Sequence, residues 1–405
     1  VCFRVCLIFF LSMLSLETRA SRSLVLDGPP VRVRLEISQK NIEIDGVGVQ
    51  IQGETDFYQL VSIPHHQRLR IFRSKANDQN VWVVQREGQK EEKISQTYLS
   101  LRAIGLRSQG KALPEHLFLT PRGKTNFDVI GVVNLEDYVL GVVGSEMPTS
   151  WPEETLKAQA IAARSYVLAV MRERAREVFH VESSTLDQVF RPMAGNIGPG
   201  SPWLRVQKAV QETEGVVLLG SGRHVLKSYY HSDCGGKTSS PQSVWGSSGP
   251  RVAVLDSTCP QNPKAHWQLS VASAQLETQL RQYLKNPQLG PLVAMQTLRA
   301  GPQDRVEKVD FVWGSGEKTR IWAHQLRSLF GFEKMRSTFF EIQKKGAEYV
   351  FSGRGFGHGV GLCQWGARQM GKSGETYRQI LRHYYPQSEI QIRSWPKLES
   401  QTAKL

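Results

Sequence analysis

A chain of 405 residues with 40% hydrophobic and 22% charged residues has the make-up of a globular protein, and its length suits two or three domains or one large elaborated domain. Lys and Arg number 51 against 37 Asp and Glu, a net charge of +14 that favours anionic partners. The basic residues are spread along the chain rather than gathered in a block, which excludes a nucleic-acid-binding arm, and no internal repeat or low-complexity tract is present.

The first stretch reads VCFRVCLIFFLSMLSLETRASRS. Arg4 supplies a short positive region, Val5 to Leu16 an apolar run, and Thr18-Arg19-Ala20 a small-x-small cleavage signal. This predicts a secretory signal peptide over residues 1–20, with an uncleaved anchor as the alternative, and an exported protein of the periplasm or extracytoplasmic cell wall. No later segment has the apolar length to cross a bilayer. Cys2 and Cys6 lie in this leader, which leaves Cys234, Cys259 and Cys363. Outside the cytosol three cysteines predict one disulfide and one free thiol; Cys234 and Cys259 flank a turn-rich segment and are the favoured pair. The rival is a structural zinc held by His231, Cys234, His358 and Cys363, although the paired CxxC of a strong zinc signature is absent.

From Val31 to Phe127 the pattern is one of short strands. "VRVRLEI" alternates, "VWVVQ" is a compact apolar run, and "HLFLT" leads into the turn "PRGKTN". Asn134-Leu135-Glu136-Asp137 then offers a helix start. After Trp151-Pro152 comes the strongest helical stretch, predicted over Glu153–Val178, with Pro152 at its first position and Glu153 and Glu154 at its positive end. Its alanines (158, 160, 162, 163 and 169) keep it slim. "GVVLLGSGRHVLKSYYHSD" reads as a hairpin, His266–Leu284 as a helix, "QTLRAGPQDRVEKVDFVW" as a second hairpin, "AHQLRSLFG" as a short helix with a glycine stop, and Thr376–Tyr385 as a helix ended by Pro386. Strand and helix groups alternate irregularly, which makes the fold class α+β: a β-rich lead-in, then a mixed core built around one long Ala-rich helix.

Two further segments could carry chemistry. In "SGRGFGHGVGLCQWGARQMG" glycines recur at every second position from Gly353 to Gly361. In an extended strand they would share one bare face, suited either to close chain packing or to a ligand. In "SYYHSDCGGKT" Tyr229, Tyr230, His231, Ser232 and Cys234 precede a Gly-Gly turn, a place where scaffolds display functional side chains, while a satisfied structural histidine is the plainer reading of His231. A Cys-dependent hydrolase through Cys234 or Cys363 is conceivable, but no third, orienting group is evident.

Taken together, "EDYVLGVVGSEMPTSWPEETLKAQAIAARSYVLA", "YYHSDCGGKTSSPQSVWG", "LRSLFG" and "GRGFGHGVGLCQWGARQMGKSGETYRQILRHYYP" resemble the stage II sporulation protein D family, which includes the amidase-enhancer (LytB) proteins. The resemblance spans about residues 125–390. It divides the chain into a signal peptide (1–20), a β-rich region (21–124), a catalytic core (125–390) and a tail (391–405). It implies a lytic transglycosylase that cleaves peptidoglycan glycan strands stripped of their stem peptides, leaving 1,6-anhydro-muramic acid ends. The alternative is a non-catalytic glycan-binding enhancer of a cell-wall amidase.

The resemblance assigns the catalytic acid to Glu146. Apolar Met147 and Trp151 would raise its pKa for general-acid work, whereas the positive end of the following helix would lower it. Glycoside hydrolysis ordinarily uses two carboxylates; for a partner in the Gly-rich and Tyr-His segments Asp187 and Asp233 are the nearest options, so single-acid chemistry fits better. Tyr229, Tyr230, His231, Ser232, Lys237, Arg354, His358, Gln364 and Trp365 are the expected substrate-binding residues; Trp245 is a further stacking candidate. Arg164 and Lys227 are added candidates for a basic groove, and Arg327 a structural arginine. The implied partners are glycan strands and a cell-wall amidase; zinc enters only as a structural ion, and no other cofactor is implied.

Overall fold

The computed structural model describes residues 28–52, 67–76, 79–193, 197–247, 252–259, 262, 265–301 and 304–394. The signal peptide expected over 1–20 lies outside the described residues, as does the end of the tail. Strands and helices mix throughout, so the α+β class holds.

The lead-in forms one large sheet. Its strands are β1 (Pro30–Gln39), β2 (Asn41–Gln52), β3 (Gln67–Ala76), β4 (Gln79–Arg86), β5 (Glu92–Ile94), β6 (Leu99–Ser108), β7 (Lys111–Ala112), β8 (His116–Arg122) and β9 (Asn126–Asn134). They run in the order β1-β9-β8-β6-β2-β3-β4-β5, with β7 beside β6. Alternating residues such as Ile42 and Ile44, or Leu117 and Leu119, send one face into a core with Trp82 and Phe127. The sheet therefore runs about ten residues past the boundary expected at 124. Nor is it a detached lead-in. Val31 and Val33 of β1 belong to the helical core instead, and a short strand β10 (Val181–Glu182) pairs parallel with β1.

Helix α1 (Leu135–Glu146) leaves β9 directly, and α2 (Glu153–Glu173) follows it. The Ala-rich run packs as expected: Ala158, Ala160, Ile161, Ala162 and Ala163 are fully buried, with Leu156 and Val167. Each large apolar side chain so buried stabilises the fold by about 1.5–3 kcal/mol. The helix stops at Glu173, five residues early, and Pro152 sits at its N-cap. Around it lie α3 (Trp203–Glu212), β11 (Val216–Leu219), β12 (Tyr230–His231) and the short α4 (Pro241–Trp245).

The next stretch folds around a separate core of Trp267, Leu276, Phe311, Trp313, Phe340 and Phe351. It comprises β13 (His266–Ala272), α5 (Ser273–Leu284), β14 (Leu292–Leu298), β15 (Lys308–Trp313), β16 (Lys318–Trp322), α6 (Ala323–Phe330), β17 (Phe340–Lys345) and β18 (Glu348–Arg354). The helix expected over 266–284 is half strand. "HWQLSVA" buries Trp267 and Val271 at an even spacing and pairs along its length with β18, so period two wins before Ser273. The β14–β15 hairpin and α6 with its Gly331 stop form as expected.

The chain then returns through the glycine run to β19 (Leu362–Cys363), α7 (Gln364–Lys372), α8 (Tyr377–Tyr384) and β20 (Glu389–Ile392). Strand β20 pairs with β11, Val216 opposite Ile392. The expected tail thus begins inside a strand. The predicted hairpin at 215–233 survives only as a tight turn, with Leu226 N–H donating to the Leu218 carbonyl at 2.8 Å.

Candidate active site

Glu146 is the last residue of α1, not the lip of α2. The two ends of a helix carry opposite partial charges, so it faces the negative end, where a carboxylate is disfavoured. Its Oε1 accepts the backbone N–H of Val189 at 2.7 Å. The loop bearing Val189 is pinned by Asp187, whose carboxylate takes Tyr166 Oη at 3.0 Å, Arg174 at 2.8 Å and the Glu182 N–H at 2.9 Å. Gln188 between them accepts from the Tyr138 hydroxyl at 3.0 Å.

Two further donors face the carboxylate, Tyr230 from β12 and Gln364 from the first position of α7. Neither the Tyr230 hydroxyl nor Gln364 Nε2 completes a hydrogen bond to any protein atom, although both are buried. Such orphaned donors are costly unless something else satisfies them. Burial raises the Glu146 pKa above the usual carboxylate range; the bonded Val189 amide only partly opposes it, with Tyr230 and Gln364 facing the carboxylate without completing a bond. No acidic neighbour contributes, and the carboxylates of Asp187 and Asp233 are engaged elsewhere. Trp365, next to Gln364, packs edge-on to Trp151 with centroids 5.6 Å apart, and Arg368 lies over both rings.

Strands β12 and β19 pair in parallel, Tyr230 opposite Leu362 and His231 opposite Cys363, so the two donors reach Glu146 from β12 and from the helix start that follows β19. The other expected site residues divide. Tyr229, His231, His358 and Trp245 form an aromatic group of their own, Tyr229 to Trp245 at 4.8 Å and His358 to Trp245 at 5.1 Å. His231 donates Nδ1–H to the Val360 carbonyl, and burial drives its pKa down to about 3, so it is a neutral packed imidazole. Ser232 offers its carbonyl to the Trp365 N–H at 3.1 Å. Lys237 is ion-paired with Asp304, and Arg354 is exposed, stacked 4.0 Å over Phe339. Lys227 pairs with Glu173 at 2.6 Å, and Arg327 donates to the Met335 carbonyl. Arg164, read as a groove cation, is fully buried: Nε and Nη2 grip Glu136 at 2.7 and 2.5 Å.

The glycine run is not a strand. Gly355, Gly357, Gly359 and Gly361 all adopt φ between 73° and 108°, the left-handed region that side chains resist. Their missing Cβ atoms make room for protein, not ligand: a Cβ on Gly361 would lie 2.0 Å from the Tyr229 carbonyl, and one on Gly357 2.8 Å from His231 Cβ. Close packing accounts for the motif, against the 229–235 segment at Gly355, Gly357 and Gly361 and against Arg305 at Gly359.

That packing draws all three cysteines together, and the expected Cys234–Cys259 disulfide does not form. Cys234, Cys259 and Cys363 are buried free thiols. Their sulfurs and a carboxylate oxygen of Asp256 lie within 4.8 Å of one another. A bond between two of them would strand the third beside a carboxylate. The histidines of the alternative zinc set, His231 and His358, are not in this group, and Asp256 is. Cys259 is driven towards thiolate by hydrogen bonds from Cys234 and Cys363.

The donor set suits a tetrahedral zinc. Sulfurs on such an ion stand about 3.8 Å apart, from Zn–S bonds of about 2.3 Å, and the Cys363–Cys259 separation is 3.5 Å. Backbone N–H groups of Cys234, Gly236 and Gly366 already point at the sulfurs, as they do around bound thiolates. Tyr384 donates to Asp256 Oδ2 at 2.7 Å, and a Cβ on Gly366 would collide with that oxygen. The signal missed in the sequence was "LDSTC": Asp256 and Cys259 stand three apart, as do His231 and Cys234.

A single raised carboxylate flanked by idle donors, braced by a knot of thiols, defines a site suited to one-acid chemistry on a polar, uncharged bond. Residues 123–219 match the stage II sporulation protein family, and residues 255–361 match a domain of unknown function. The chain is 30% identical to an uncharacterised protein of Brachyspira hyodysenteriae over 64% of its own length and 66% of the relative's. It is 28% identical to the amidase enhancer of Bacillus subtilis over 61% of its length and 39% of the enhancer's, and 28% identical to stage II sporulation protein D of Bacillus amyloliquefaciens over 69% and 80%. The chain thus spans about two thirds of the first relative and two fifths of the second. Residues 123–219 therefore carry a stage II sporulation protein domain, and the chain is similar to both stage II sporulation protein D and the amidase enhancer. Among the described residues no helix is long and apolar enough to cross a membrane.

Proposed function

We propose that this is an exported cell-wall enzyme that cleaves peptidoglycan glycan strands by lytic transglycosylation, with Glu146 as its only acid–base group. The observation that carries this reading is the raised, half-buried Glu146 with the unpartnered Tyr230 hydroxyl and Gln364 amide beside it and, among the described residues, no second carboxylate acting on it. Protonated Glu146 gives its proton to the glycosidic oxygen as the bond from the muramic anomeric carbon breaks towards that oxygen. The resulting carboxylate then takes the proton of the muramic 6-hydroxyl, whose oxygen bonds to the same carbon. No water is consumed. Tyr230 and Gln364 hold sugar hydroxyl or acetamido groups, and Trp151 and Trp365 offer ring faces to the sugars. Cys234, Asp256, Cys259 and Cys363 would hold a structural zinc, and these ligands would then fasten β12 to β19 and so aim Tyr230 and Gln364. Burial and mutual contact of the three sulfurs argue against a thiol nucleophile.

Incubation with peptide-free glycan should yield ends one water lighter than hydrolytic ends by mass spectrometry, and Glu146→Gln should abolish them. Similarity to an amidase enhancer supports a second reading, glycan binding that stimulates a cell-wall amidase. In that case Glu146→Gln keeps full stimulation and no anhydro ends arise from the parent.

A further inference from the structure

The stretch that matches the domain of unknown function, 255–361, contains a charged side chain buried against the backbone of the Cys234 segment. Arg305, in the approach to β15, is only 4% exposed. One of its terminal nitrogens donates to the Cys234 carbonyl at 2.8 Å and the Asp233 carbonyl at 3.4 Å, the other to the Gly357 carbonyl at 3.2 Å. Among the described residues no carboxylate forms an ion pair with it, and Nε has no partner. Carbonyls satisfy N–H groups but do not neutralise a buried guanidinium, which can never shed its proton. The acidic groups acting on it are Cys234, Asp233, Cys363 and Cys259. Gly359 belongs to the same arrangement, since a Cβ there would stand 2.3 Å from Arg305 Nε. One glycine of the alternating run is thus the bed for this side chain.

Three thiolates and a carboxylate carry four negative charges, and a divalent ion leaves two. Excess charge of that kind in a protein interior needs a compensating cation. We propose that Arg305 is the counter-cation of the Cys234–Asp256–Cys259–Cys363 metal centre, a positioning residue through which the 255–361 segment stabilises the bound ion. The proposal rests on the reading of that cluster as a metal centre. It joins two features that neither element resolves alone, a buried cation with no ion-paired carboxylate among the described residues and a ligand set with too much negative charge.

The test uses the purified full chain, zinc affinity by competition with a chromophoric chelator, and the thiolate-to-metal absorption of the cobalt-substituted protein. Arg305→Met should weaken zinc binding about 10- to 100-fold, the range for a lost outer contact. Arg305→Lys keeps the charge and should stay within about threefold of the parent while losing hydrogen bonds. Asp304→Asn breaks the adjacent Lys237–Asp304 pair, another tie between the same two segments, and should leave affinity and spectrum unchanged. If Arg305→Met binds zinc as tightly as the parent, or Arg305→Lys loses as much as Arg305→Met, the charge role is wrong. Should Arg305→Met fail to fold, the Lys variant decides by the same criterion, parental affinity upholding the proposal and a large loss overturning it. A parent protein that takes up neither zinc nor cobalt sinks the metal-centre reading itself and the proposal with it.

Discussion

The Val189 amide donates to Glu146 Oε1 across 43 residues of chain, and it is Asp187, two positions earlier, that holds the amide in line. Asp187 reaches Tyr166, Arg174 and the Glu182 N–H at once, with its carboxylate almost wholly buried. Asp187→Ala should therefore cost about 2–4 kcal/mol of stability. It should also raise the pKa of Glu146 further, because a donor to its charged form is loosened. Denaturant melts and the alkaline limb of the glycan-cleavage pH profile measure the two effects separately.

Glu146→Gln should reduce cleavage of naked glycan by about 10²–10⁴-fold, the usual contribution of a general acid. Its effect on stability has a definite sign. The folded-state pKa is raised, so the folded protein binds this proton more tightly than the unfolded chain. Stability from the group is present below the unfolded pKa and is lost as pH rises through the folded one. The Gln variant should melt higher than the parent at neutral pH, and the gap should close in acid. A lower melting temperature at neutral pH would contradict the burial of the carboxylate.

Tyr230→Phe separates function from fold. The hydroxyl makes no protein hydrogen bond, so its removal should leave stability unchanged or slightly higher. Turnover should nevertheless drop about tenfold or more if this donor serves the sugar. A variant with full activity would exclude Tyr230 from the site.

Chelator treatment should strip the thiol cluster and lower the melting temperature, because a metal bound only in the folded state stabilises it. Asp256→Asn should weaken the ion while leaving the three cysteines titratable by a thiol reagent. Retention of full zinc content in this variant would remove Asp256 from the ligand set.

Glu136 and Arg164 form a wholly buried bidentate pair, Arg164 also meeting the Val216 carbonyl at 3.2 Å. Arg164→Met alone should destabilise by about 3–5 kcal/mol, since it abandons a buried carboxylate, and adding Glu136→Leu should recover much of the loss. A double-mutant cycle on thermal unfolding measures that coupling.

Local pattern made much of the architecture legible. The Ala-rich α2, the alternating strands of the lead-in, the capped α8 and the Gly331 stop of α6 are all written in spacing and turn chemistry, which act over a few residues. The motifs also pointed to the neighbourhood of Glu146, Tyr230 and Gln364. Residues 266–272 were misread because a short apolar run fits either period, and only pairing with β18 decides for the strand.

What the sequence determined by itself was therefore the kind of each strongly periodic element and the segments that meet at the site. Tertiary structure alone decided which helix end carries Glu146, that three cysteines and Asp256 converge in place of a disulfide, that Arg164 is buried and not groove-lining, and that Arg305 is buried beside the thiols. These are matters of distance between residues far apart in the chain. Charge and thiol chemistry depend on who stands within a few ångströms, and no local spacing rule records that.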